Sequence, residues 1–215
     1  IRKWAAQIYF VASEEMLHLA QAWNILAAIG GTPYYLRPNF PQDSKYYPLE
    51  VPLLLEPFGP EAMRRFIYYE RPAPVIFPDA YCQQLGMEKP VYSTVGELYG
   101  LIRAGIESFT EAELFIGDRA NQVGPELVDF PDLIKVVDRA TAVQAIDMIT
   151  EQGEGNEVDS PDCHYGAFLA IERELLSEIA RAKASGQEFT PARPALTNPV
   201  ARPRGGTKVT EGTLL

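Results

Sequence analysis

The stretch from Trp4 to Ile29 has the apolar spacing of one long helix and ends at Gly30-Gly31-Thr32-Pro33. Glycine accepts the left-handed position past a helix end, and proline prevents continuation, so the stop is strong. Inside the stretch lies Glu14-Glu15-Met16-Leu17-His18. A helix advances by about 100° per residue, so Glu15 and His18 project from one face, one turn apart. Val11, Ala12, Leu19, Ala22, Leu26 and Ile29 are expected to form an apolar surface around the pair. Unpartnered polar groups are costly in such a surface. Glu14, about 100° away, is expected in solvent.

A carboxylate and an imidazole held one turn apart make half of a divalent-metal site. Glu-x-x-His on a bundle helix is the spacing used by di-iron and di-manganese carboxylate proteins. The same spacing also arises from a surface glutamate beside a half-buried histidine, so the motif needs its context.

The remaining chain reads as helices joined by proline-rich connections. The first helix is expected from Arg2 to Ile29. Tyr34 to Pro60 is irregular, with Leu49 to Glu56 a short strand or an extended strap. Gly59-Pro60-Glu61 opens a helix to Tyr69, with proline in the first turn and an acid at the positive end. Arg71 to Pro90 is a second irregular connection. Ser93 or Thr94 caps a helix from Val95 to Phe109, and Glu97 completes a capping box with Thr94. Gly117 to Phe130 reads as a loop. A helix from Thr141 to Gln152 stops at Gly153-Glu154-Gly155, and Asn156 to Asp162 is a polar loop. The last helix runs from Cys163 to Ala184 and ends by Gly186.

At 215 residues the chain suits one substantial domain. We expect a helical domain over 1–189 and a proline-rich extended tail over 190–215, basic through Arg193, Arg202, Arg204 and Lys208. The net charge of −10 argues against a nucleic-acid partner, which calls for a basic face. It also argues against an anionic membrane surface, and no apolar run is long enough to span a bilayer. The two cysteines, Cys82 and Cys163, form no CxxC pair, so a reducing, cytoplasmic setting is expected.

Four blocks, in order, carry a family resemblance. They are Val11-Ala12-Ser13-Glu14-Glu15-Met16-Leu17-His18 running on to Gly30-Gly31-Thr32-Pro33; Tyr92-Ser93-Thr94-Val95-Gly96-Glu97-Leu98-Tyr99; Ala145 to Gly155, with its Gln-Gly-Glu-Gly turn; and His164-Tyr165-x-x-Phe168. Together they resemble the ferritin-like domain associated with iminophenyl-pyruvate dimer synthases, enzymes of bisindole pigment pathways, over roughly residues 1–174. The resemblance implies an all-α, ferritin-like helical bundle with long proline-rich irregular crossovers. Two departures stand out. The first bundle helix of such domains has no counterpart here. A glutamate often found three residues before the last-helix histidine is replaced by Pro161, with Asp162 the nearest carboxylate.

Glu15, His18 and His164 are the leading candidate ligands, followed by Glu154, Glu97 and Glu151. Glu97 is equally explained by its capping box, and Glu151 and Glu154 by a solvated helix end. Two imidazoles and two carboxylates suit Fe(II), Mn(II) or Zn(II), in a mononuclear or di-iron arrangement. The leading expectation is a non-haem iron or manganese oxidoreductase handling oxygen or peroxide. The alternatives are oxidative coupling of imines from aromatic amino acids, implied by the resemblance, and a non-catalytic scaffold with a vestigial site. Tyr34, Tyr35, Phe40, Tyr46, Tyr47, Phe58, Tyr68 and Tyr69 either pack straps onto helices or line a pocket for a small aromatic substrate. Self-association is expected through bundle faces or the tail.

Overall fold

The long periodic segment forms a single helix, α1 (Arg2–Ala28), whose 27 residues give it a length of about 40 Å. It ends where expected. Gly30 has φ 82°, and the Gly30 and Gly31 amides donate back to the carbonyls of Ala27 and Leu26, closing the helix. The computed structural model describes residues 1–33, 40–41, 53–72, 94–153, 163–192 and 195–198. Within these residues it is all-α. The other helices are α2 (Pro60–Tyr69), α3 (Val95–Ser108), α4 (Glu111–Leu114), α5 (Arg139–Gln152) and α6 (His164–Ala184), with a 3₁₀ turn at Arg119–Asn121.

Local chemistry explains the boundaries. Thr94 caps α3 by accepting from the Glu97 amide at 3.2 Å. Ser93, the other candidate cap, lies outside the described residues. Helix α5 starts two residues earlier than its periodicity indicates. Asp138 is its cap, and Thr141 is the third residue of the helix, in a reciprocal capping box with Asp138. Leu53 makes only an isolated bridge, so among the described residues the strap before α2 is not a strand.

The helices bury two apolar cores, one toward each end of α1. Near its start, Trp4 and Val11 pack with Met63 of α2 and with Phe168, Ile171 and Leu175 of α6. Near its end, Ile25 and Ala28 pack with Ile106 of α3 and with Ala142, Ala145 and Ile146 of α5. Helix α2 lies along α6, and α3 along α5. The Glu14–His18 run falls between the two cores.

The buried face of α1 differs from the expected apolar surface. Ala12, Leu19 and Leu26 are exposed, while Gln21 and Asn24 are fully buried. The reason lies in the irregular segment between α4 and α5. Gln21 donates to the Ile134 carbonyl and accepts from its amide, both at 2.9 Å. Asn24 accepts from the Val123 amide at 2.7 Å and donates to the carbonyls of Val123 and Ile134. Gln122 makes the same two-way pairing with Val136. Side-chain amides thus satisfy backbone groups that have no strand to pair with.

The beginning of the tail lies on the body. Phe189 meets Trp4 edge-on at 6.4 Å between ring centres, and Asn198 exchanges hydrogen bonds with the backbone of Leu55. Leu196, in the first part of the tail, is 45% exposed. Arg193, Arg202, Arg204 and Lys208 lie outside the described residues.

Candidate metal centre

At the middle of α1 the buried surface changes from apolar to ionic. His18 is buried, and Glu15 sits at the edge with 37% of its side chain exposed. One turn of helix brings Glu15 Oε1 to 3.2 Å from His18 Nδ1. His164, the first residue of α6, enters from across the bundle, its ring centre 5.5 Å from that of His18. Its Nδ1 is 2.9 Å from the same Glu15 oxygen. Ligand atoms of Glu15, His18 and His164 all lie within 4.8 Å of one another.

The register of α6 comes from its cap. Cys163 accepts from the Gly166 amide through Sγ, which starts the helix at His164 and points the imidazole inward. Gly153, the C-cap of α5, makes room for it. A Cβ at position 153 would stand 2.2 Å from His164 Nδ1. The Gly153 backbone, with φ −161°, is open to any residue, so the glycine is required by the close approach of the ring and not by its own conformation.

Two further acids, Glu14 and Glu70, complete the cluster. Glu14, expected in solvent, turns inward with 22% of its side chain exposed, and its Oε2 meets His164 Nε2 at 3.1 Å. The start of α6 packs against that edge of α1 and draws it in. Glu70, the C-cap of α2, places Oε2 3.6 Å from His164 Nδ1 with only 14% of its side chain exposed. A carboxylate at the negative end of a helix is unfavourable unless something positive meets it. That misplacement in Tyr69-Glu70-Arg71-Pro72 was the available signal.

Of the other candidates, Glu97 supplies the amide capped by Thr94 and is not in this group of ligand atoms. Glu151 is exposed and lines an open groove on the outer side of α5. Neither is among the three residues whose ligand atoms converge. Glu154, Pro161 and Asp162 lie outside the described residues.

The electrostatics are those of a cation site. Burial alone would raise the Glu15 pKa, but contacts with His164 and His18 and their charges outweigh it and hold the carboxyl at about 2. Burial alone would lower His164, but Glu15 and Glu70 raise it to about 10. Burial pushes the Glu70 carboxyl up, and neighbouring Glu15 adds to this against the pull of His164. Two buried atoms, Glu70 Oε2 and His164 Nδ1, have no aligned hydrogen-bond partner. Nδ1 is close to Glu15 in distance but off the line that a ring N–H requires. Atoms that face one another in this way need a shared cation, and in the metal-free protein a proton on His164 serves. Two imidazole nitrogens with the carboxylates of Glu15 and Glu70 form a donor set that fits iron, manganese or zinc.

A family model described as ferritin-like matches residues 2–173. Dichlorochromopyrrolate synthase of Lentzea aerocolonigenes is 30% identical over 92% of this chain and 21% of its own length. The 2-imino-3-(indol-3-yl)propanoate dimerase of Chromobacterium violaceum is 30% identical over 91% of this chain and 19% of its own. The chain thus spans about a fifth of the length of these curated relatives. No solved structure matches. No helix among the described residues is long and apolar enough to cross a membrane.

Proposed function

Since the chain belongs to the ferritin-like family, we propose that its Glu15–His18–His164 cluster is a non-haem metal centre of oxidoreductase type. The observation that carries this reading is the convergence of Glu15, Glu70, His18 and His164 with buried donor atoms left unpaired. A divalent redox metal held there supplies Lewis-acid and one-electron chemistry toward oxygen or peroxide. The chain's own part is to assemble the donors and hold them. Glu15 and Glu70 bring the negative charge that neutralises a cation, and His18 and His164 turn Nδ1 toward the same point. Glu14 holds the outer nitrogen of His164. The apolar cores on either side keep the bundle closed around these groups.

Elemental analysis of untagged protein, after loading with Fe(II) or Mn(II) and desalting, tests the reading. Stoichiometric metal that is lost in Glu15→Gln and His18→Ala, with both variants still folded, is the expected result. Metal-free wild-type protein after loading would remove the basis of the reading and favour a scaffold with a vestigial site.

A second reading is supported by the names of the relatives. A synthase of dichlorochromopyrrolate and a dimerase of an indolyl imino acid suit a role for this chain in oxidative coupling of imines from aromatic amino acids. Joining two imine molecules by a carbon–carbon bond removes two electrons and two protons, which peroxide accepts on going to water. Incubating metal-loaded protein with an indolyl imino acid and peroxide, and looking for the dimer by mass spectrometry, tests it. Two cysteines in no CxxC pair suit a reducing, cytoplasmic setting. Exposed Tyr9, Met16, Leu19 and Leu26 on the outer face of α1 suit self-association, which sedimentation measures.

A further inference from the structure

One side chain next to the cluster is neither ligand nor core. Gln152, the last residue of α5, places Oε1 2.8 Å from His18 Nε2. We propose that Gln152 is a positioning residue that fixes the His18 imidazole in its Nε2–H form and so presents Nδ1 to the metal position. The inference rests on the metal reading above and deepens it.

A carbonyl-type oxygen can only accept, so the hydrogen bond requires the proton on His18 Nε2. A neutral ring then carries its lone pair on Nδ1, which faces Glu15 Oε1 at 3.2 Å. Lone pair against carboxylate is repulsive unless a cation, a proton or a metal ion, lies between them. His164 is arranged in parallel, with Nε2 against the Glu14 carboxylate and Nδ1 toward Glu15 and Glu70. Both rings are therefore gripped at Nε2 and share one inward nitrogen type. Metal-ligating histidines are oriented in this way by a partner on the other ring nitrogen, and loss of that partner lowers metal affinity by about 10- to 100-fold.

The placement of Gln152 argues against a purely structural role. It is half-buried and lines the open groove beside Ile134 and Met148, so it fills no core space. It follows the last buried residue of α5, Ile149, by three positions. Among the described residues, no backbone group depends on its amide in the way that Ile134 depends on Gln21.

The test reads the ring directly. Long-range 1H–15N NMR of metal-free wild-type protein should show His18 carrying a proton on Nε2. Gln152→Leu should lose this single form and weaken Zn(II) binding, measured by calorimetry, by about 10- to 100-fold. Gln152→Glu keeps an acceptor oxygen and should restore binding to within a few-fold of wild type. A wild-type His18 neutral form with its proton on Nδ1 would overturn the proposal, and so would a folded Gln152→Leu protein that binds zinc like wild type. The NMR measurement needs no variant to fold. Failure of the wild-type protein to bind metal would sink the metal reading alone, and the NMR result would still decide whether Gln152 orients the ring.

Discussion

Gly153→Ala is the sharpest single perturbation of the cluster, because it adds one methyl group against the face of His164. That carbon would stand 2.2 Å from Nδ1, 2.7 Å from Cγ and 2.8 Å from Cε1. An ordinary non-bonded contact is about 3.5 Å, so the ring has to retreat by about 1 Å. Three ring atoms are struck together, so rotation within the ring plane gives no relief, and Glu14 and Glu15 hold the ring from α1. Overpacking of this kind costs about 1–3 kcal/mol. Alanine returns about 0.4–1 kcal/mol by restricting the unfolded chain, since its backbone conformation at 153 is allowed. The net loss is up to about 2.5 kcal/mol, or a fall in Tm of up to roughly 10 °C for a chain of this size. The effect on metal is larger. Ligand distances tolerate only about 0.2 Å, so a shift near 1 Å removes His164 Nδ1 from the donor set. Metal affinity should fall by about 100-fold or more, at or beyond the upper end of the range seen when only an outer partner is lost. Calorimetric titration with Zn(II), paired with thermal melting, separates the two effects. Gly100→Ala in α3 is the control: among the described residues, nothing beyond its own stretch of helix lies within 4 Å of its added carbon. It should gain up to about 1 kcal/mol of stability and bind metal normally. A Gly153→Ala protein with wild-type affinity would refute the assignment of His164 to the site.

Further outcomes follow from the same geometry. The charged form of His164 stabilises the metal-free protein fully below its ordinary pKa of 6.5, and that contribution is lost as pH rises through about 10. Stability measured by denaturant should decline across that window in the absence of metal. Metal must displace the same proton, so affinity should rise with pH over that range, and calorimetry in two buffers at pH 7 should detect proton release. The Glu15 contribution is present above its ordinary 4.5 and lost as pH falls through about 2, giving an acid limb that Glu15→Gln should flatten. Asn24→Ala should leave the part-buried amide and carbonyl of Val123 without their side-chain partner, while Gln21 still holds Ile134, at about 1–3 kcal/mol for each group left unsatisfied. Its melting temperature should drop while metal content stays at the wild-type level, as measured by melting and elemental analysis.

Local chemistry alone determined much of this protein. The apolar period, the Gly30-Gly31 stop and the proline-opened α2 were legible because each depends on neighbours within about one turn. The pairing of Glu15 with His18 was legible for the same reason, since helical spacing places them together whatever else the chain does. The tertiary structure decided what that pair meets. Glu70 sits at the end of a different helix, and its approach to His164 depends on how α2 lies along α6. Glu14 and Glu15 differ by one position on the same helix, and only the packing of α6 determined that both turn toward His164. Gln21 and Asn24 read as polar interruptions of an apolar face until the irregular segment they bind is in place. A carboxylate or an amide has the same local propensity whether it is solvated, caps a helix or binds a cation. Its partner is chosen by residues on other elements, often more than a hundred positions away, and that choice is made only when the helices pack.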